Sequence, residues 1–284
     1  MILVVGATGN LGGEISRLLA ERDEPLRVFV RTTSDPAKVD ALRKLGAEIV
    51  EGDLKDPSSL AAACAGVKTV FSTATSTISR GEGDSIETVD LIGQLNLVEA
   101  ADSAGVERFV FVSFTEMDPD SPLQRAKRAV EQRLADSGMT ATVLRPTYFM
   151  EVWLSPVVGF DATNGQAQIF GAGDNPISWI SLFDVARAVV DSRSDEAVVE
   201  LGGPDALSQL EVVAIFERET GRPFELQHVP AEALAAQAEG ATDSLEESFA
   251  ALMLSTTRVG PTRRAPGDLM SVRDFARPVV SAQR

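Results

Sequence analysis

Four apolar residues, Ile2-Leu-Val-Val5, run straight into Gly6, and Gly9 and Gly12 follow at three-residue steps before an amphipathic stretch, Glu14-Ile-Ser-Arg-Leu-Leu-Ala20. Read in order, this is a buried strand, a glycine turn and a helix. Such a junction gathers unpaired backbone N–H groups and the positive end of a helix dipole at one point. Its usual occupant is the pyrophosphate of a dinucleotide. Gly6 permits the tight turn, Gly9 lets phosphate approach the backbone, and Gly12 lets the helix pack on the strand. Three spaced glycines alone are weak evidence. Here the required strand precedes them and the required helix follows. The competing reading is a glycine-rich turn that holds nothing.

Apolar runs and helical patterns then alternate along the chain. Strands are expected at 2–6, 26–31, 47–51, 68–74, 108–113 and 141–145, with helices at 11–22, 35–45, 57–65, 85–104 and 122–137. Strands that are apolar throughout and separated by helices imply a parallel sheet covered on both faces, a doubly wound α/β fold. After Arg145 the rhythm changes. Pro146, Pro156, Gly159, Gly165, Gly171, Gly173 and Pro176 divide residues 146–176 into loops. Beyond them, strands are expected at 177–180, 198–201 and 224–229, and helices at 184–192 and from Ser208 to Gly221. This implies a dinucleotide domain over residues 1–150 and a smaller substrate lobe over 151–284. Some later strands return to the main sheet, and the lobe lies over the strand C-termini, where open α/β sheets bind ligands.

Composition narrows the partners. The chain of 284 residues carries 26 basic against 42 acidic side chains, a net charge of −16, which disfavours nucleic acid and anionic membranes. No apolar stretch approaches the ~20 residues needed to span a bilayer. The first strand begins at Met1, leaving no room for a signal peptide, so a soluble cytoplasmic protein is expected. Cys64, the single cysteine, lies in an alanine-rich helical pattern and reads as a small buried filler. It can form neither an intramolecular disulfide nor a metal cluster, and no metal site is expected.

The second strand ends Val28-Phe-Val-Arg31-Thr32-Thr33-Ser34. An NAD site places Asp or Glu here for the ribose 2′-hydroxyl, and none occurs before Asp35. A guanidinium among hydroxyls suits a 2′-phosphate, which favours NADP(H) over NAD(H). The alternative is an exposed arginine at a strand end. Asp53, after the third strand, is placed beside the adenine, or else simply closes a turn.

Several segments together resemble the NmrA-like branch of the atypical short-chain dehydrogenases/reductases. They are Gly-Ala-Thr-Gly-Asn-Leu-Gly (6–12), Gly-Asp-Leu (52–54), Phe-Val-Phe-Val-Ser (109–113), Leu-Arg-Pro-Thr-Tyr-Phe-Met-Glu (144–151) and Ile-Ser-Trp-Ile-Ser (177–181) with Asp184-Val-Ala186. The resemblance weakens after about residue 230. It implies a Rossmann domain with a small C-terminal substrate lobe. The implied cofactor contacts are Gly6, Thr8, Gly9, Asn10, Leu11, Gly12, Arg31, Thr32, Asp53, Leu54, Ala74, Thr75, Lys127, Pro146 and Thr147. Family members include NADPH-dependent quinone, triphenylmethane-dye and isoflavone-type reductases, and also regulators that bind the dinucleotide without turnover.

Ordinary short-chain enzymes carry Tyr-x-x-x-Lys after the fifth strand. In Leu123-Gln-Arg-Ala-Lys127 the lysine is kept and Leu123 stands where the tyrosine would be. Proton transfer from a phenol at that position is therefore excluded. Lys127 is expected at the nicotinamide ribose, the competing reading being a solvated i, i+4 pair with Glu131. Tyr148, the only tyrosine, is either a proton source or a wall of the pocket. Ser113 either reaches substrate or nicotinamide, or merely caps its strand. His228, the only histidine, reads as structural, and without it no Ser-His-Asp triad can be assembled. Glu116, Asp118 and Asp120 read as a solvated loop. Trp153, Trp179, Phe149, Met150 and Phe170 line an apolar cleft or fill a core.

The leading function is NADPH-dependent hydride transfer to a small planar apolar acceptor, a quinone, enone or similar carbonyl, by a monomer or homodimer. Water suffices as proton source for a quinone. The alternative is a non-catalytic NAD(P)-binding redox sensor of the NmrA type. A sugar-nucleotide epimerase or dehydratase ranks last, because it too needs the missing tyrosine.

Overall fold

The computed structural model describes residues 1–78, 80–192 and 197–281. These form two compact units. The first holds the described residues of Met1–Ser113, Pro122–Arg145 and Val185–Val199; the second holds those of Phe114–Ser121, Pro146–Asp184 and Glu200–Arg284. Residues 114–121 thus belong to the second unit, and the described residues of 185–199 to the first.

The first unit is built on a sheet of seven strands: β1 (Ile2–Val5), β2 (Leu26–Val30), β3 (Glu48–Glu51), β4 (Thr69–Ser72), β5 (Arg108–Val112), β6 (Thr140–Pro146) and β7 (Val198–Leu201). Their order is β7-β6-β5-β4-β1-β2-β3. The ladders of β1 with β2 and β4, of β2 with β3, and of β5 with β4 and β6 are all parallel. This is the doubly wound arrangement expected. Between β1 and β4 the chain reverses its direction of travel across the sheet, which opens a crevice at the strand C-termini.

Helices α1 (Asn10–Glu21), α2 (Pro36–Lys44), α3 (Pro57–Cys64), α4 (Gln94–Ser103) and α5 (Pro122–Ala135) connect the strands. Leu60, Leu97, Val98, Val130 and Leu134 from α3, α4 and α5 join Leu3, Val5, Val70, Phe109 and Phe111 of the sheet in one buried cluster. Ile15 and Leu19 are the buried residues of α1's apolar stripe. Each such side chain contributes about 1.5–3 kcal/mol on burial. Cys64 lies in the first cluster, its thiol pushed up to about 11 by burial, as an inert filler requires.

The helix expected over 85–104 is not uniform. Residues Ile86–Gly93 form a wide π-helix, opened by a reciprocal Ser85–Thr88 cap, and only then does α4 begin. Such segments depart from the ordinary i→i−4 ladder and often occur at functional sites. This one carries Asp90, which is fully buried.

In the second unit, the stretch 146–176 expected as loops contains two strands, Phe160–Asp161 and Gln166–Phe170. They pair antiparallel with each other, and Gln166–Phe170 pairs parallel with Glu225–Val229. The polar residues Gln166 and Gln168, alternating with buried Ala167 and Ile169, mark a half-exposed strand that the flanking glycines obscured. Ile177–Ser178 pairs with Ala206–Leu207. An aromatic core of Tyr148, Trp179, Phe160, Phe216 and Phe224 holds the unit together.

Candidate functional site

Parallel registry brings the strand ends of the first unit level. Val5 stands opposite Phe29 and Ser72, and Val30 opposite Glu51. The residues that follow, Gly6, Arg31, Gly52 and Thr73, therefore share one edge. At Gly6 the backbone adopts φ +91°, and a Cβ would lie 2.7 Å from Thr73 Oγ1 and 2.8 Å from Ala74 N. A Cβ on Gly12 would fall 2.2 Å from Gly6 O. Only glycine lets the start of α1 rest directly on the turn.

Three other helical segments start differently. Asp35 caps α2, Asp56 caps α3 and Ser85 caps the π-helix, each accepting a backbone N–H through its side chain. α1 starts from extended Gly9 with no side-chain cap. Its first N–H groups, those of Asn10, Leu11 and Gly12, point outward as donors with the helix dipole behind them. Thr8, Gly9 and Asn10 border this opening, and Lys38 Nζ donates to Thr8 O at 3.1 Å. These features fit a diphosphate.

Arg31 is not a loose arginine at a strand end. Its Nη1 donates to Asp84 Oδ2 at 2.5 Å, and Lys55 Nζ donates to Asp84 Oδ1. Gly81 N also donates to Oδ2, at 2.7 Å. The Asp84 side chain is 3% exposed. Burial would raise its carboxyl, but the Lys55 and Gly81 hydrogen bonds and the Lys55 and Arg31 charges hold it below the ordinary carboxylate value. Lys38, Lys55 and Asp84 were missed in the sequence, because nothing in their local pattern signals a shared edge. Asp53 Oδ1 accepts from Lys55 N at 2.9 Å, and its Oδ2 lies 3.5 Å from Lys55 Nζ. Thr32 is exposed beside Arg31 and Leu54 is buried.

Lys127 is 4% exposed and does not pair with Glu131. Its Nζ lies 3.4 Å from Asp90 Oδ1 and 5.0 Å from the centre of the Phe111 ring. Asp90 Oδ2 accepts from Ser76 N and Oγ at 3.0 and 2.7 Å, whereas Oδ1 has no hydrogen bond. Glu131 instead anchors a separate cluster. Ser113 Oγ donates to its Oε1 at 2.5 Å, Arg128 Nη1 donates to the same oxygen at 2.6 Å, and Arg145 Nη2 donates to Oε2. Burial would raise the Glu131 carboxyl, but Arg145, Ser113 and Arg128 hold it below its ordinary value. The Ser113 hydroxyl also accepts from Arg128 at 3.0 Å, which commits it to this cluster. Beyond β4, Ala74 O accepts from Gln94 Nε2 at 2.9 Å and Thr75 Oγ1 lies 3.3 Å from Thr77 Oγ1.

In the second unit Tyr148 is 3% exposed, and its hydroxyl donates to Met117 Sδ at 3.3 Å. Trp153 meets its ring edge-on at 4.8 Å and Trp179 lies 6.0 Å away. Burial pushes the phenol well above its ordinary value. A phenol so placed holds its proton. Thr147 Oγ1 donates to Ser178 O, and Pro146 beside it is buried. Trp153, Phe170 and Trp179 line a small cavity, so part of the aromatic set is lining and part is core. His228 Nδ1 lies 2.9 Å from Gly171 O, a structural contact as expected. Among the described residues no helix is long and apolar enough to cross a membrane.

Comparison with known proteins agrees with this architecture. Over 230 residues the chain is 33% identical to the NAD(P)H azoreductase of Xenophilus azovorans, covering 78% of this chain and 75% of that protein. It is 28% identical over 235 residues to the photosystem II assembly factor Ycf39 of Cyanophora paradoxa, with 81% and 71% covered. The crystal structure of Citrobacter sp. triphenylmethane reductase complexed with NADP(H) matches it with a TM-score of 0.76 at 21% identity, covering 99% of this chain and 100% of that one. At that identity the likeness is one of fold. The model of the NmrA-like family matches residues 1–258, and this chain belongs to the NmrA-like family.

Proposed function

We propose that the protein is an NADPH-dependent oxidoreductase that delivers hydride to a planar, largely apolar acceptor such as a quinone, an azo or triphenylmethane dye, or an enone. The observation that carries this reading is the buried Lys127 ammonium beside Asp90, on the same unit as the uncapped α1 and the Arg31–Lys55 cation pair. When bound, the dinucleotide would supply the hydride. The N–H groups of Asn10, Leu11 and Gly12 would hold its diphosphate, and Arg31 would meet the 2′-phosphate through guanidinium donors that Asp84 leaves open. Lys127, held by Asp90, would donate to the ribose hydroxyls and fix a positive charge there. Tyr148, buried with its proton held, is not assigned the proton transfer; water would supply the proton that completes reduction of a quinone or azo group, and a cationic triphenylmethane dye needs none on accepting hydride. Relatives named as azo and triphenylmethane reductases support this acceptor class.

The test is NADPH oxidation followed with a quinone, an azo dye, a triphenylmethane dye and an enone. Turnover with at least one acceptor is expected. Tight NADPH binding with no turnover on all four would favour the second reading, a dinucleotide-binding protein acting through partners. The buried, sulfur-bonded Tyr148 and the relative named as a photosystem II assembly factor speak for that reading.

A further inference from the structure

We infer that Asp84 is a specificity-determining residue: it occupies the anion position between Arg31 and Lys55 and competes with the 2′-phosphate, so it lowers the preference for NADPH over NADH. The inference rests on the reading that Arg31 meets the 2′-phosphate.

The hydrogen bonds at this cluster support it. Lys55 Nζ has three donors. It faces Asp84 Oδ1, Glu82 O at 3.3 Å and Asp53 Oδ2 at 3.5 Å, so its capacity is filled within the protein. For Lys55 to take a phosphate oxygen it must give up one of these acceptors. Arg31 is different. One of its five N–H donors is spent on Asp84, and its side chain is 32% exposed. It can take phosphate while keeping Asp84. The phosphate dianion then lies close to a fixed carboxylate in a partly dry setting, where like charges repel more strongly than in water. A 2′-hydroxyl carries no charge and suffers no such repulsion. The chain thus answers the missing acid at the end of β2 with an acid supplied 53 residues after Arg31.

The experiment measures binding by calorimetry to the full chain, using NADPH, NADH, adenosine 2′,5′-bisphosphate and AMP. The variants are Asp84→Asn, Asp84→Ser, Arg31→Gln and Lys55→Gln, each checked for an unchanged melting profile. In Asp84→Asn, the affinity for NADPH and for the bisphosphate should rise about tenfold, with NADH and AMP within about twofold. Asp84→Ser should shift the ratio the same way, which guards against a side effect of the amide. Lys55→Gln should weaken the bisphosphate less than Arg31→Gln does. If either Asp84 variant weakens NADPH selectively, Asp84 organises the cations rather than competing, and the inference is overturned. Equal changes for both dinucleotides overturn it as well. If Arg31→Gln leaves NADPH and the bisphosphate unaffected, the fault lies with the 2′-phosphate reading itself. That result is distinguishable, because it appears in a variant that retains Asp84.

Discussion

Lys127 and Glu131 stand one turn apart on α5, both nearly buried, yet their surroundings differ in kind. Glu131 is saturated: Ser113, Arg128 and Arg145 all donate to it. Lys127 faces one carboxylate oxygen at 3.4 Å and an aromatic ring, and that oxygen lacks a hydrogen bond. A saturated buried charge cluster holds elements together, here α5 to the ends of β5 and β6. An incompletely satisfied one costs stability and has bonding capacity left for a ligand. On one helix, then, a carboxylate with its partners supplied stands beside an ammonium whose acceptor is short of a hydrogen bond, where the i, i+4 spacing alone pointed to a simple ion pair.

The largest expected effect is on the saturated side. Glu131→Ala removes the buried carboxylate on which Ser113, Arg128 and Arg145 converge and should destabilise the first unit by about 3–5 kcal/mol in denaturant unfolding. A loss below about 1 kcal/mol would remove the distinction. On the other side, replacing both members of the pair, Asp90→Asn with Lys127→Met, should change stability by no more than about 1 kcal/mol. It should lower kcat/KM for acceptor reduction about 100-fold, near 2.7 kcal/mol of transition-state stabilisation. Equal loss of fold and activity would make Lys127 structural too.

The pH dependence sharpens the same contrast. The Glu131 carboxyl is held below its ordinary value of 4.5 in the folded state, so its stabilisation is complete above that value. It is lost as pH falls from there through the folded value. Acid melting curves should show this loss, and Glu131→Gln should diminish it. Ser113→Ala, which removes one donor, should cost about 1 kcal/mol with little change in turnover. Tyr148→Phe should have the smallest effect, within about threefold in kcat. A drop of 100-fold would make the phenol the proton donor.

Much of the first unit was legible because its signals are local. Buried parallel strands read as apolar runs, and the glycine spacing reported the β1–α1 turn. The strand Gln166–Phe170 was less legible, since its partner Glu225–Val229 lies some 60 residues on and glycines flank it. The π-helix at 86–93 has no distinctive composition. Asp84 and Asp90 went unnoticed for the same reason: each is an unremarkable acid until a distant cation is brought beside it.

From the sequence by itself came the doubly wound sheet, the glycine turn between β1 and α1 and the cation at the end of β2. These depend on residue type and short-range spacing, which backbone sterics and periodic burial translate directly into structure. The tertiary structure alone decided who neutralises whom: Asp84 against Arg31 and Lys55, Asp90 against Lys127, Glu131 against Arg145. Charge pairing acts through space over a few ångströms, and the chain reaches such proximity only after loops of tens of residues have closed.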